Sequence, residues 1–151
     1  MNIKKAARTV IIDDDNKTAI LEVRDGEYYK IPGGGIETGE TDEDAAKREA
    51  LEEAGCEVEI IQKIGEHKFI DSKPEYNGLI HFSVCYLAKK KSENKISFDE
   101  WERQNDFKLR WVMFDEAIKL FSKVNTPDQF GAEINKRDLG FLKKAKAVLH
   151  F

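Results

Sequence analysis

The sequence predicts an α+β domain, a mixed β-sheet with about three helices packed on it. Three observations predict this. Short β-rich runs alternate with turn signals through the first third of the chain. A single well-capped helix follows at about Asp42–Ala54. The chain then returns to apolar strand-like runs and ends on a segment with helical spacing.

The elements read in order as follows. Thr9–Ile12 is a strand, closed by the acidic turn Asp13-Asp14-Asp15-Asn16, and Ala19–Val23 pairs back as a second strand. Asp25-Gly26 turns the chain again, and Tyr28–Ile31 runs into Pro32-Gly33-Gly34-Gly35. Three glycines after a proline do not belong inside a regular element, so this is a loop shaped by its backbone. Thr41 is placed to cap the helix, with Asp44 three positions on, and Gly55 to end it in a left-handed conformation. Val58–Ile61 and Lys63–Ile70 read as two further strands, and Leu79–Ala88 (LIHFSVCYLA) as the most apolar and central one. A polar stretch from Lys89 to Lys108 precedes a strand at Leu109–Met113 and a short helix from Asp115 to Phe121. Leu139, Leu142, Ala145 and Leu149 place a last helix over about Asp138–Leu149.

Length fits one domain, residues 1–151, large enough to remove roughly 70% of its surface from water without disulfides or zinc. The net charge of −4 disfavours a polynucleotide partner, and an anionic substrate would need cations to offset it. Cys56 and Cys85 stand 29 positions apart with no His at zinc spacing, and are expected to be reduced and buried. No stretch has the apolar length of a signal peptide or a membrane span, so a cytoplasmic, membrane-free protein is expected.

The chemistry concentrates in residues 32–56. In a helix Glu49, Glu52 and Glu53 stand at i, i+3 and i+4, so their carboxylates share one face. Like charges so close destabilise the helix and raise one another's pKa. Hard divalent cations relieve that repulsion, and an oxygen-rich set suits magnesium. The opposite face carries Ala46, Ala50, Leu51 and Ala54, small enough to lie close on a sheet, with Lys47 obliged to snorkel outward. The glycine loop just before the helix can offer bare backbone groups to a phosphate or a metal.

Gly34, five residues, Glu40, seven residues, then Arg48-Glu49-Ala50-Leu51-Glu52-Glu53-Ala54-Gly55-Cys56 resembles the Nudix box at 34–56. All seven specified Gly, Glu and Arg positions match, with odds of about one in 10⁶ per chain by chance before this chain's richness in Glu is allowed for. Ala50 and Cys56 fill the two bulky aliphatic positions and are smaller than the pattern asks. Tyr29-Lys30-Ile31-Pro32-Gly33-Gly34 is similar to the family's entry to the loop, and Arg110-Trp111-Val112 with Asp115-Glu116-Ala117 to its last strand and following helix.

The resemblance implies the family's mixed sheet sandwiched between helices and hydrolysis of a nucleoside diphosphate linked to another group. It implies that Glu49, Glu52 and Glu53 bind Mg²⁺, with Mn²⁺ as the alternative ion, helped by the carbonyl of Gly33. Glu40 and Arg48 are the implied structural pair, and one of the box glutamates, or an acid in a later loop, is the implied general base. Glu100, Glu102 and Asp106 are the candidates for that extra carboxylate. Phe69, Tyr76, Trp101 and Phe107 are candidates for stacking on a base. Arg8 and Arg24 are candidates for a phosphate or terminal group, and Tyr29 joins the substrate-binding set. His81 reads as a satisfied, half-buried side chain.

Substrate choice is less marked. Pro74 and Tyr76 fall too late to match the ADP-ribose and dinucleoside polyphosphate signatures. The first expectation is a nucleoside or deoxynucleoside triphosphate, cut to the monophosphate and pyrophosphate. ADP-ribose, nucleotide sugars and dinucleoside polyphosphates are the alternatives. A binding sensor without turnover is the reading from another class, and an intact acid set argues against it. Homodimers are frequent in the family, and the β-rich edges would permit one.

Overall fold

The computed structural model describes residues 2–151. Its sheet has seven strands: β1 (Ile3–Ile12), β2 (Lys17–Val23), β3 (Tyr28–Lys30), β4 (Gly33–Gly35), β5 (Val58–Asp71), β6 (Leu79–Lys90) and β7 (Lys108–Met113). The main path runs β3-β2-β1-β6-β5, with β4 also pairing β1 and β7 also pairing β2. β1 and β6 run parallel over ten register pairs, and every other pairing is antiparallel. The sheet is therefore mixed, as expected, and β1 is its middle strand.

Helices cover both faces. On one lies α1 (Asp42–Ala54), whose Ala45, Ala46, Ala50 and Ala54 meet Ala7, Ile11, Val84 and Ala88 of the sheet. The alanines let it come close enough for the Thr9 hydroxyl to donate to the carbonyl of Ala46 at 3.4 Å. On the other lie α3 (Phe114–Ser122) and α4 (Gln129–Leu149), packing Phe121, Phe141, Leu142 and Ala145 against Val10, Ile20, Cys85 and Leu87. A fourth helix, α2 (Glu100–Gln104), sits in the polar stretch ahead of β7.

The caps behave as their sequences ask. Thr41 Oγ1 accepts from the Asp44 amide at 3.1 Å, and Gly55 adopts φ +64° at the C-terminus of α1. Cys56 and Cys85 are free and buried. Among the described residues, no helix is long and apolar enough to cross a membrane.

Five details depart from the sequence reading. Gly33–Gly35, expected to be loop, is the short strand β4, because the glycines let the backbone close on β1 and pair with it. The two strands expected at 58–70 are one, β5, with register shifts between Ile60 and Gln62 and between Lys63 and Gly65. Extra residues at a bulge break the alternation without ending the strand. α4 begins at Gln129, nine residues before the expected 138, because Asp128 caps it through the Gly131 amide. α2 is five residues long and shows no apolar period, so only its capping box of Asp99 and Glu102 announces it. Leu51, placed on the buried face of α1, is 39% exposed, while Glu53 takes a buried place at 1%.

Candidate active site

Gly33 begins the site. It pairs with Arg8 in the β1–β4 register, and a Cβ there would stand 2.6 Å from the Ala7 carbonyl oxygen. Only glycine allows that approach, and it aims the Gly33 amide at α1. Glu53 Oε1 accepts from that amide at 2.8 Å. The Lys30 ammonium closes the other side, donating to the Gly33 carbonyl at 3.2 Å and standing 3.6 Å from Glu53 Oε2. Burial pushes the Glu53 carboxyl well above its usual range, while Lys30 opposes that shift. Burial also lowers the Lys30 pKa.

Arg48 organises the exposed half. Its guanidinium grips Glu40 with two bonds, Nε to Oε2 at 2.7 Å and Nη2 to Oε1 at 3.0 Å. The same group donates to the Gly35 carbonyl at 2.9 Å, to Glu49 at 2.9 Å, and stands 3.5 Å from Glu52. A bidentate pair of this kind fixes geometry as well as charge. The Arg48 bond holds the Glu40 carboxyl down to about 2. Glu52 is raised, first by desolvation and then by the charge on Glu49.

Of the three acids ahead of β7, the structure brings one to this place. Glu102 is buried, its Oε1 accepts from the Asp99 amide at 2.8 Å, and it lines the same cavity as Glu53. Glu100 is exposed at the start of α2, and Asp106 lies in a left-handed turn beside Lys108. Neither lines the cavity.

That cavity, of about 540 Å³, opens beside the box and has two characters. Its acidic lining is Glu49, Glu53, Asp99 and Glu102, with the glycines of β4 beside them. Its basic lining includes Lys4, Arg8, Lys73 and Arg137, and Tyr28, Tyr76, Trp101 and Phe130 add aromatic faces. Arg8, Tyr76 and Trp101 thus stand where a substrate would lie. The remaining candidates do not reach it. Arg24 is spent on Glu27 and Asp128, at 2.6 and 2.8 Å. Tyr29 packs on Phe121 in the core, and Phe107 is buried against Trp101 and Phe98. Phe69 stacks on His81 at 4.8 Å and backs the wall rather than lining it. His81 is not satisfied: its Nε2 has no hydrogen-bond partner and stands 3.6 Å from Asp71.

Sequence reasoning missed Lys30, Tyr28, Ser83 and Arg137. Lys30 had a signal, since strand alternation puts it on the face opposite its apolar neighbours Tyr29 and Ile31. Arg137 had none, because its place depends on where α4 begins.

A divalent ion fits this donor set. Three box carboxylates and a carbonyl are hard oxygen ligands, and the side chains already gathered around them, Lys30 and Arg48, are both cations. Among the described residues no three His, Cys, Asp or Glu side chains are grouped closely enough to hold a metal ion as they stand.

A family model described as the NUDIX domain matches residues 3–133, and the chain belongs to the Nudix family. Over 101 residues, 67% of this chain, it is 32% identical to Nudix hydrolase 4 of Arabidopsis thaliana, covering 45% of that protein. Over 102 residues, 64% of this chain, it is 34% identical to an RNA pyrophosphohydrolase of Sulfurovum sp. (strain NBC37-1), covering 63% of it. Over 70 residues, 46% of this chain, it is 36% identical to the oxidized purine nucleoside triphosphate hydrolase of Mus musculus, covering 45% of it. The chain thus spans about half to two thirds of the length of these curated relatives. A NUDIX hydrolase structure from Nitrosomonas europaea shares the fold with a TM-score of 0.69 at 19% identity, over 95% of this chain and 88% of that one.

Proposed function

We propose that the chain is a metal-dependent pyrophosphohydrolase, most simply one that cuts a nucleoside or deoxynucleoside triphosphate to the monophosphate and pyrophosphate. The observation that carries this reading is Glu53, buried and held by the Gly33 amide beside Lys30, in a cavity that Glu49 and Glu102 also line. Burial raises the pKa of its carboxyl, which suits proton transfer rather than stability.

Glu49, Glu52, Glu53 and the Gly33 carbonyl would hold Mg²⁺, with Mn²⁺ as the alternative. When bound, the ion would offset charge on the phosphate oxygens and acidify the attacking water. Glu53 and Glu102 are buried carboxyls lining the cavity, and one of them is the general base that takes the proton from water. Arg48 and Glu40 keep β4 and α1 in register. Tyr76, Trp101 and Tyr28 supply aromatic faces for a nucleobase.

The names of the Mus musculus and Sulfurovum relatives support a nucleoside triphosphate or a triphosphorylated RNA end. The RNA end is the second reading, and the net charge of −4 weighs against it.

The test is a coupled phosphate-release assay over nucleoside triphosphates, ADP-ribose, nucleotide sugars, dinucleoside polyphosphates and a 5′-triphosphorylated oligonucleotide. One class is expected to stand out with magnesium and to fall silent in EDTA. Equal turnover with and without EDTA would overturn the metal-dependent reading.

A further inference from the structure

We infer that the basic floor of the cavity binds a phosphate group of the substrate directly, on Arg8, Ser83 and His81, with no metal between. The inference rests on the hydrolase reading and adds to it a second point of phosphate recognition, on the sheet beside Gly33.

The floor is built by two parallel strands. Lys4, Ala6 and Arg8 of β1 lie in register with His81, Ser83 and Cys85 of β6. Alternation sends all of these side chains to one face, and Lys4, Ala6, Arg8, His81 and Ser83 line the cavity. Ala6, the smallest of them, leaves the floor open between Lys4 and Arg8.

Arg8 is the unexplained group. It is 8% exposed, and among the described residues its Nη1 has no partner and its one hydrogen bond is a long one from Nε to Ser83 Oγ at 3.5 Å. Taking a guanidinium out of water is repaid only by a well-placed partner. The nearby acids are engaged elsewhere. Asp138 accepts from Arg137 at 2.8 and 3.3 Å and from the Ile31 amide at 3.0 Å. Glu53 is held by the Gly33 amide, with Lys30 beside it. Asp71 stands by His81, whose own Nε2 is unpaired.

Two buried nitrogens without partners therefore flank a serine hydroxyl on one open face. Lys4 and Lys73 add positive charge among the lining residues, and Lys73 is free to lean on the Phe130 ring at 5.2 Å. A neutral sugar or base would leave the Arg8 charge unanswered. A phosphate answers it and offers enough oxygens for the hydroxyl and the imidazole as well. Arg137, also buried, is by contrast paired with Asp138 through both Nε and Nη2.

The phosphate has two sources, the one that stays on the nucleoside and the one that leaves. The experiment measures binding in EDTA by calorimetry, with a nucleoside monophosphate, pyrophosphate and inorganic phosphate as separate probes. The wild-type chain is expected to bind at least one of them, and which one names the source. Arg8→Gln is expected to weaken that binding about tenfold to a hundredfold, the loss of one charged hydrogen-bonding group. Arg8→Lys should recover part of it.

Without a ligand, Arg8→Gln should melt no lower than the wild type, because the charge it removes has no partner. Ser83→Ala provides a second reading should Arg8→Gln fail to fold, with an expected weakening of at least threefold. No binding of any probe by the wild type would overturn the inference. So would unchanged binding in Arg8→Gln, or in Ser83→Ala if that variant has to stand in. Turnover is not read, so failure here with magnesium-dependent hydrolysis intact would leave the hydrolase reading standing.

Discussion

A carboxyl group taken out of water stays neutral unless positive charge faces it, and Glu53 has Lys30 beside it and Glu102 in the same cavity. That balance makes it the most consequential side chain of the site. Glu53→Gln keeps the shape and the amide bond to Gly33 while removing the charge. It is expected to lower kcat about a hundredfold or more, measured by phosphate release at saturating magnesium. Among the acids ahead of β7, Glu102→Gln should cost activity on the same scale. Glu100→Gln and Asp106→Asn should change it less than threefold, because neither residue lines the cavity. Equal effects from all three would contradict the assignment of Glu102.

Glu40 gives a pH test. Its folded pKa is lowered, so its contribution to stability is present above the ordinary carboxylate range and is lost as pH falls from there towards about 2. Glu40→Gln should therefore melt below the wild type at neutral pH, and the gap should close as the pH approaches 2.

At the scale of the element, the box was legible because its spacing is local. A 3.6-residue turn, a threonine cap and a glycine stop are written in consecutive residues, and α1 forms over Asp42–Ala54 as read. Gly55 illustrates how tightly that stop is specified. Its φ is +64°, and a Cβ there would meet the Asn94 carbonyl oxygen at 2.6 Å. Gly55→Ala is expected to cost about 1–3 kcal/mol in urea denaturation. What was not legible depended on partners distant in the chain. The bulges that join two expected strands into β5 are set by pairing with β6. α4 starts early because Asp128 is held by Arg24, 104 residues away in sequence. Alternation alone would have placed Lys30 in the site, but its partner, Glu53, lies on another element.

At the scale of the molecule, the cavity is assembled from β1, β3, β4, α1, β6, α2 and α4. The candidate substrate residues were the least legible part for that reason: a lone Arg8 and a lone Arg24 look alike in sequence. The fold spends Arg24 on Glu27 and Asp128 and leaves Arg8 facing the floor. α4 is the keystone of the basic side. Asn135 accepts from the Tyr29 amide, and Asp138 from the Ile31 amide, so the helix is bonded to β3 and the residue after it. Asp138→Ala would leave Arg137 buried without its partner, and is expected to cost about 3–5 kcal/mol in urea denaturation. A loss within the noise of a surface substitution would show that Arg137 finds water instead.

The central claim is that this site hydrolyses a phosphoanhydride, and phosphorus NMR of a running reaction tests it most directly. With magnesium and the preferred nucleotide, the anhydride resonances should give way to a monophosphate and its leaving group, and Glu53→Gln should slow this about a hundredfold. Spectra unchanged across every nucleotide class, from protein that binds those nucleotides and melts cooperatively, would contradict the claim and leave a binding domain in its place.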